Sequence, residues 1–256
     1  MEMRKCIYAL FLLFITVTAS AQDTIRTIHV IVALCDNDSQ GIVPVPKSLG
    51  NGDDPNNNLY WGALYGTKSF INKSRDWTLL ETKKKVNERI LERIIFRHTS
   101  ANVYLVADAY RGARIKSAVE QFLNAAVGNN AKIVEYDNVK IPIGGNATMV
   151  VYIGHNGLMD FEVDFIEKKR ERCANDVIVL ACKSKPYFAP FLSKIGSRSV
   201  LLTTGFMAPE AYTLEAALAG WIAGENGGQI KERAAQAYHK YQKCGLKGAR
   251  RLFYSE

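Results

Sequence analysis

Hydrophobic positions along the chain fall into two rhythms. Short runs rich in Val, Ile and Leu occur at Thr27 to Leu34, Asn102 to Ala107, Met149 to Gly154, Val177 to Ala181 and Ser199 to Thr203. Continuous rather than alternating hydrophobicity predicts strands covered on both faces, as a parallel sheet between helical layers requires. Helical patterning predicts helices over Leu59 to Ile71, Ile115 to Ala126, Phe161 to Arg172, Tyr187 to Ile195, Ala211 to Ala223 and Ile230 to Cys244. Thr78 to Arg97 reads as one more, a charged amphipathic helix with apolar positions at Val86, Ile90, Leu91, Ile94 and Ile95. Gly41 to Asn58 is crowded with Gly, Pro, Asn and Asp and predicts a loop of a length that is uncommon in compact domains unless functional. Strands alternating with helices set the fold expectation: α/β, a three-layer α/β/α sandwich around a mainly parallel sheet.

The N-terminus adds an address. Arg4 and Lys5 precede the apolar run Ile7 to Val17, which ends in Ala19-Ser20-Ala21 before polar residues. That order predicts a signal peptide over residues 1–21 and an exported protein, periplasmic or secreted, with residues 22–256 as a single domain. The run is short for a membrane span, and no later segment approaches spanning length. The net charge of +8 favours anionic surfaces in general. Its basic runs, Lys83-Lys84-Lys85 and Lys168-Lys169-Arg170, read as solvated helix faces, and no nucleic-acid motif accompanies them. Cys35, Cys173, Cys182 and Cys244 are too few for a disulfide scaffold, although Cys173 could pair with any of the other three in an oxidising compartment. No Cys-x-x-C or His-Glu-x-x-His spacing argues for zinc, so neither a metal nor a cofactor is expected.

In open α/β sheets, sites gather beyond the carboxyl ends of the strands. That rule selects Cys35-Asp36-Asn37-Asp38, Asp108-Ala109-Tyr110-Arg111, His155-Asn156-Gly157 and Cys182-Lys183-Ser184-Lys185. His155 follows one predicted strand and Cys182 the next, and the stretch between them fits a loop, a helix and a strand. One right-handed crossover of that kind sets the two strands side by side, with imidazole and thiol at equivalent heights. A thiolate attacks a carbonyl, and a nearby imidazole raises the thiolate fraction or protonates the leaving amine. Backbone N–H groups after Cys182 and near Asn156 and Gly157 are the expected oxyanion donors.

The blocks Val150-Val151-Tyr152-Ile153-Gly154-His155-Asn156-Gly157 and Val177-Ile178-Val179-Leu180-Ala181-Cys182 resemble the caspase-hemoglobinase group of cysteine peptidases, which includes caspases, legumains, clostripain, gingipains and separases. The resemblance implies a caspase-like sheet, His155 as catalytic histidine, Cys182 as nucleophile, a peptide or protein substrate and no metal in the chemistry. One departure is that Asn156 stands between His155 and Gly157, where the group has glycine directly after histidine. Specificity does not carry over: members that cut after basic residues place an acidic group near the nucleophile, whereas Leu180 stands two positions before Cys182.

Other residues have plainer readings beside functional ones. Asp36 and Asp38 are candidates to line a substrate pocket for a basic side chain. Asp36-Asn37-Asp38-Ser39-Gln40-Gly41 echoes the start of a calcium loop, but Lys47 occupies the position of its bidentate Glu, so a turn is expected. Asp108 and Arg111 read either as a local ion pair or as contacts to a substrate backbone. His29 and His98 read as incidental or surface residues, and His239 lies on a charged helix. Phe188 stands where a Cys-x5-Arg phosphatase would need its arginine. The functional expectation is an exported cysteine peptidase acting through a thioester. Its alternative is a catalytically inactive caspase-fold module that presents the Gly41 to Asn58 loop to a partner.

Overall fold

The computed structural model describes residues 24–164 and 175–256. The proposed signal peptide, most of the helix expected over Phe161 to Arg172, and Cys173 lie outside the described residues, and 161–164 carry no regular secondary structure. The chain forms, in order, β1 (Arg26–Ala33), α1 (Thr67–Ile71), β2 (Trp77–Lys84), β3 (Ile90–His98), β4 (Val103–Tyr110), α2 (Ile115–Ala126), β5 (Lys132–Tyr136) and β6 (Val139–Ile143). Then follow β7 (Met149–Ile153), β8 (Asp176–Leu180), α3 (Ser184–Ile195), β9 (Ser199–Thr203), α4 (Ala211–Ile222), α5 (Gly227–Gln242), α6 (Leu246–Leu252) and β10 (Phe253–Tyr254).

Among the described residues the main sheet has eight strands in the order β10-β9-β8-β7-β1-β4-β3-β2. The five strands β9, β8, β7, β1 and β4 run parallel, while β10 pairs antiparallel with β9 at one edge, and at the other β3 pairs antiparallel with β4 and β2 antiparallel with β3. The chain winds from β1 to β4 on one side and then returns to β7 on the other. The strand order therefore switches between β1 and β7, where open α/β sheets collect their sites.

Each parallel strand is buried on both faces, so its apolar run is continuous. Ile28, Val30, Val32 and Leu34 of β1 and its end join one core with Trp61, Ile71 and the α4 and α5 residues Leu218, Trp221, Ala234 and Tyr238. Ile31 and Ala33 point the other way, into a core with Val119 and Phe122 of α2 and Phe188 and Leu192 of α3. The β5-β6 hairpin extends this second face, packing Ile141 and Ile143 against Tyr104 and Val106. A three-layer α/β/α sandwich with a mainly parallel sheet is the result. No helix among the described residues is long and apolar enough to cross a membrane.

Thr78 to Arg97 is not a helix but the β2-β3 hairpin. Ile94 and Phe96 face one core and Ile95 the other, and β3 is buried on both faces at Ile90, Ile94, Ile95 and Phe96. Lys83, Lys84 and Lys85, read as a solvated helix face, are exposed at the end of β2, whereas two charges of β3 are satisfied inside. Glu92 accepts from the Trp61 indole at 2.6 Å and from Lys68 at 2.7 Å, and Arg93 bonds Asp108. Leu59 to Ile71 is mostly turns, with only its last residues, α1, helical. The β5-β6 hairpin had no counterpart among the predicted elements.

Candidate active site

Strands β7 and β8 are register partners up to Ile153 and Leu180. His155 and Cys182 each lie two residues beyond that last pair, so imidazole and thiol leave the sheet at the same height from adjacent parallel strands. Gly154 makes the exit possible. Its φ is +150°, and a Cβ there would come within 2.9 Å of the Ala33 carbonyl oxygen of β1. Both side chains line one cleft of about 250 Å³. His155 is largely covered by its surroundings and Cys182 is half-buried.

The imidazole is held from behind. His155 Nε2 lies 2.7 Å from Asp160 Oδ2, which also accepts from the Gly41 N–H at 3.0 Å. A carboxylate only accepts, so Nε2 carries a proton, and in the neutral ring Nδ1 is the nitrogen with the lone pair that a general base needs. The same carboxylate ties the long loop after β1 to the histidine. A Cβ on Gly41 would sit 2.5 Å from Asp160 Oδ1, so glycine at position 41 lets the loop approach this closely. The Tyr152 hydroxyl donates to the His155 carbonyl at 2.8 Å, which fixes the backbone below the ring.

The thiol is held from two sides. Asn156 is fully buried, and its Nδ2 donates to the Cys182 carbonyl at 2.8 Å, bridging the ends of β7 and β8 directly. Cys182 Sγ accepts from the Met207 N–H at 3.4 Å and lies 3.5 Å from the Met207 carbonyl, to which its S–H donates. Lys183 adopts the left-handed region at φ +48°, a conformation that costs a non-glycine residue about 1–3 kcal/mol and concentrates at functional turns. Helix α3 begins one residue later, at Ser184.

The amides expected to hold an oxyanion are partly engaged. Gly157 N–H donates to the His155 carbonyl, Lys183 N–H to the Gly205 carbonyl and Ser184 N–H to Thr203 Oγ1. Among the described residues, the main-chain N–H groups of Asn156 and Cys182 have no acceptor.

Asp108 and Arg111 do not join this site, nor do they pair with each other. Asp108 is the antepenultimate residue of β4, not a loop residue, and is sealed between Arg93, at 2.6 and 2.7 Å, and His29 Nε2 at 3.2 Å. The Arg93 and His29 hydrogen bonds hold its carboxyl below the usual carboxylate range despite complete burial. His29 is accordingly buried, not incidental, and its Nδ1 accepts from the Gly144 N–H. Arg111 instead pairs with Asp53 across two loops. Asp36 and Asp38 line a different, polar pocket of about 420 Å³ that shares no residue with the thiol cleft. Asp36 Oδ1 accepts from the amides of Asp38 and Ser39, the hydrogen bonding of the expected turn. Cys35, Cys182 and Cys244 are free thiols. Among the described residues, no group of three or more His, Cys, Asp or Glu is gathered to hold a metal ion.

No family model, curated protein or solved structure matches this chain.

Several working parts of the site went unread in the sequence. Asp160 follows His155 within the same loop, but nothing in its spacing marks it as the partner of the ring. Phe206 and Met207 follow β9, and apolar residues past the carboxyl end of a core strand were the available signal.

Proposed function

We propose that this chain is an exported cysteine hydrolase of the caspase-like kind, a peptidase with Cys182 as nucleophile and His155 as general base and acid. The register that sets both residues two positions beyond the Ile153–Leu180 pair carries the reading, because it brings them to one cleft from separate strands. The thiol proton, donated to the Met207 carbonyl in the resting site, turns to His155 Nδ1 and passes to it, and the sulfur attacks the carbonyl carbon of the scissile amide. The amide of Cys182, which lines the cleft, stabilises the oxyanion, whereas Asn156 is fully buried behind it and holds the Cys182 carbonyl. The C–N bond then breaks, the amine leaves with the proton from His155, and water hydrolyses the thioester. Asp160 keeps the imidazole in the required tautomer and orientation, as the third member of such constellations does.

The test is labelling of the native protein with a peptidyl acyloxymethyl ketone, followed by peptide mapping and amide hydrolysis assays. Selective modification of Cys182, with loss of hydrolysis in Cys182→Ala, is expected. A Cys182 that reacts no faster than exposed Cys244 removes the assignment. The second reading, a noncatalytic binding module, is favoured by the engaged Gly157 amide beside Asn156, and it gains if that labelling fails in a folded protein.

A further inference from the structure

The walls around the thiol carry information about what enters. Val43, Met159 and Phe206 are 86%, 37% and 69% exposed, and all three line the cleft that holds His155 and Cys182. They come from three separate loops, after β1, β7 and β9. Large apolar side chains left in water and converging on one point mark a surface made for an apolar partner. Ile42 and Met207 continue the same wall, with Tyr60 beside them.

No Asp, Glu, Lys or Arg lines this cleft. The nearby cation is Lys183, whose Nζ lies over the Phe206 ring at 4.5 Å and places positive charge at the rim. A lysine or arginine side chain entering here would meet that charge and find no carboxylate lining the walls, the Asp160 carboxylate behind His155 being taken up by Nε2 and the Gly41 N–H. An aspartate or glutamate would lose its water without a lining cation to replace it. At about 250 Å³ the cleft is smaller than the roughly 300–1,000 Å³ of pockets for drug-sized ligands, so it suits one side chain with its flanking backbone.

We propose that the cleft receives an apolar side chain, aromatic or Leu/Met-like, from the substrate residue whose carbonyl Cys182 attacks. This rests on the cysteine-hydrolase reading for its chemistry, and it places the specificity in Val43, Met159 and Phe206 instead of in Asp36 and Asp38.

Methanethiosulfonates test the pocket independently of catalysis. The thiolate displaces methanesulfinate and forms a mixed disulfide with the reagent's own side group. Rates at Cys182 in the native full chain would be read by mass mapping with benzyl, 2-aminoethyl and 2-sulfonatoethyl reagents, each divided by that reagent's rate with 2-mercaptoethanol. The benzyl ratio is expected to exceed both charged ratios at least tenfold, and Phe206→Asp or Val43→Asp, both at exposed positions, to reduce that preference severalfold. Equal ratios, or a faster charged reagent, overturn the proposal. A benzyl preference without acyloxymethyl ketone labelling would keep the apolar pocket and remove the hydrolase, so the two readings fail separately.

Discussion

Among the described residues two histidine–aspartate pairs meet, one within the sheet and one past the end of a strand, and they have opposite fates. His29 and Asp108 meet at 3.2 Å between β1 and β4, 2% and 1% exposed, with Arg93 closing the carboxylate on its other side. His155 and Asp160 meet at 2.7 Å past the end of β7, with Asp160 34% exposed and the ring on a cleft. Two thiols repeat the contrast. Cys35 follows β1 but is buried, and burial pushes its thiol up to about 11, whereas half-buried Cys182 opens on the cleft. The same residue types thus serve as cement where neighbouring segments cover them, inside the strands at His29 and Asp108 and past the end of β1 at Cys35, and are available for chemistry only where a strand end opens on a cleft.

The strongest way to break this contrast is to exchange the thiols' fates. Cys182→Ala is expected to lower amide hydrolysis on the order of 10³-fold or more, while Cys35→Ala leaves the rate within a few-fold, in assays on the same peptide amide. Next comes the buried pair. Asp108→Ala leaves Arg93 without its counter-charge and His29 Nε2 without its acceptor, and is expected to cost about 3–5 kcal/mol in urea unfolding. Asp160→Asn should behave in the reverse way. It is expected to lower the hydrolytic rate constant on the order of 10²-fold while moving stability by less than about 1 kcal/mol, because the carboxylate is partly in water.

A pH series sharpens the thiol comparison. The folded-state value of Cys35 lies above its ordinary value of 9.0, so its contribution to stability is fully present below that value and is lost as pH rises toward about 11. Cys35→Ala is expected to flatten that alkaline loss by on the order of 2 kcal/mol, measured by urea unfolding at stepped pH. The smallest effect belongs to Asn156→Ala. Losing the Nδ2 bond to the Cys182 carbonyl is expected to cost about 1–2 kcal/mol and to lower the rate constant about tenfold with little change in KM. An unchanged rate would show that the ends of β7 and β8 are held in register without it.

The core strands and the main helices of the sandwich were legible because burial on both faces demands unbroken apolar runs, and such runs are local. The β2-β3 hairpin was not. Glu92 and Arg93 look like solvent residues until Trp61, Lys68 and Asp108, all distant in sequence, are brought against them. His29 was misjudged for the same reason, since its partners Asp108 and Gly144 come from other parts of the chain. Asp160 and Phe206 were missed because a loop residue acquires its meaning from what the loop touches.

The order of apolar and polar residues dictated the layering, the parallel strands and the exit of His155 and Cys182 at neighbouring strand ends, because these follow from chain periodicity and crossover handedness. Only folding in three dimensions chose which carboxylate holds which imidazole, which thiol is sealed and which side chains wall the cleft. Those choices depend on distances between segments far apart along the chain, and no local pattern encodes such distances.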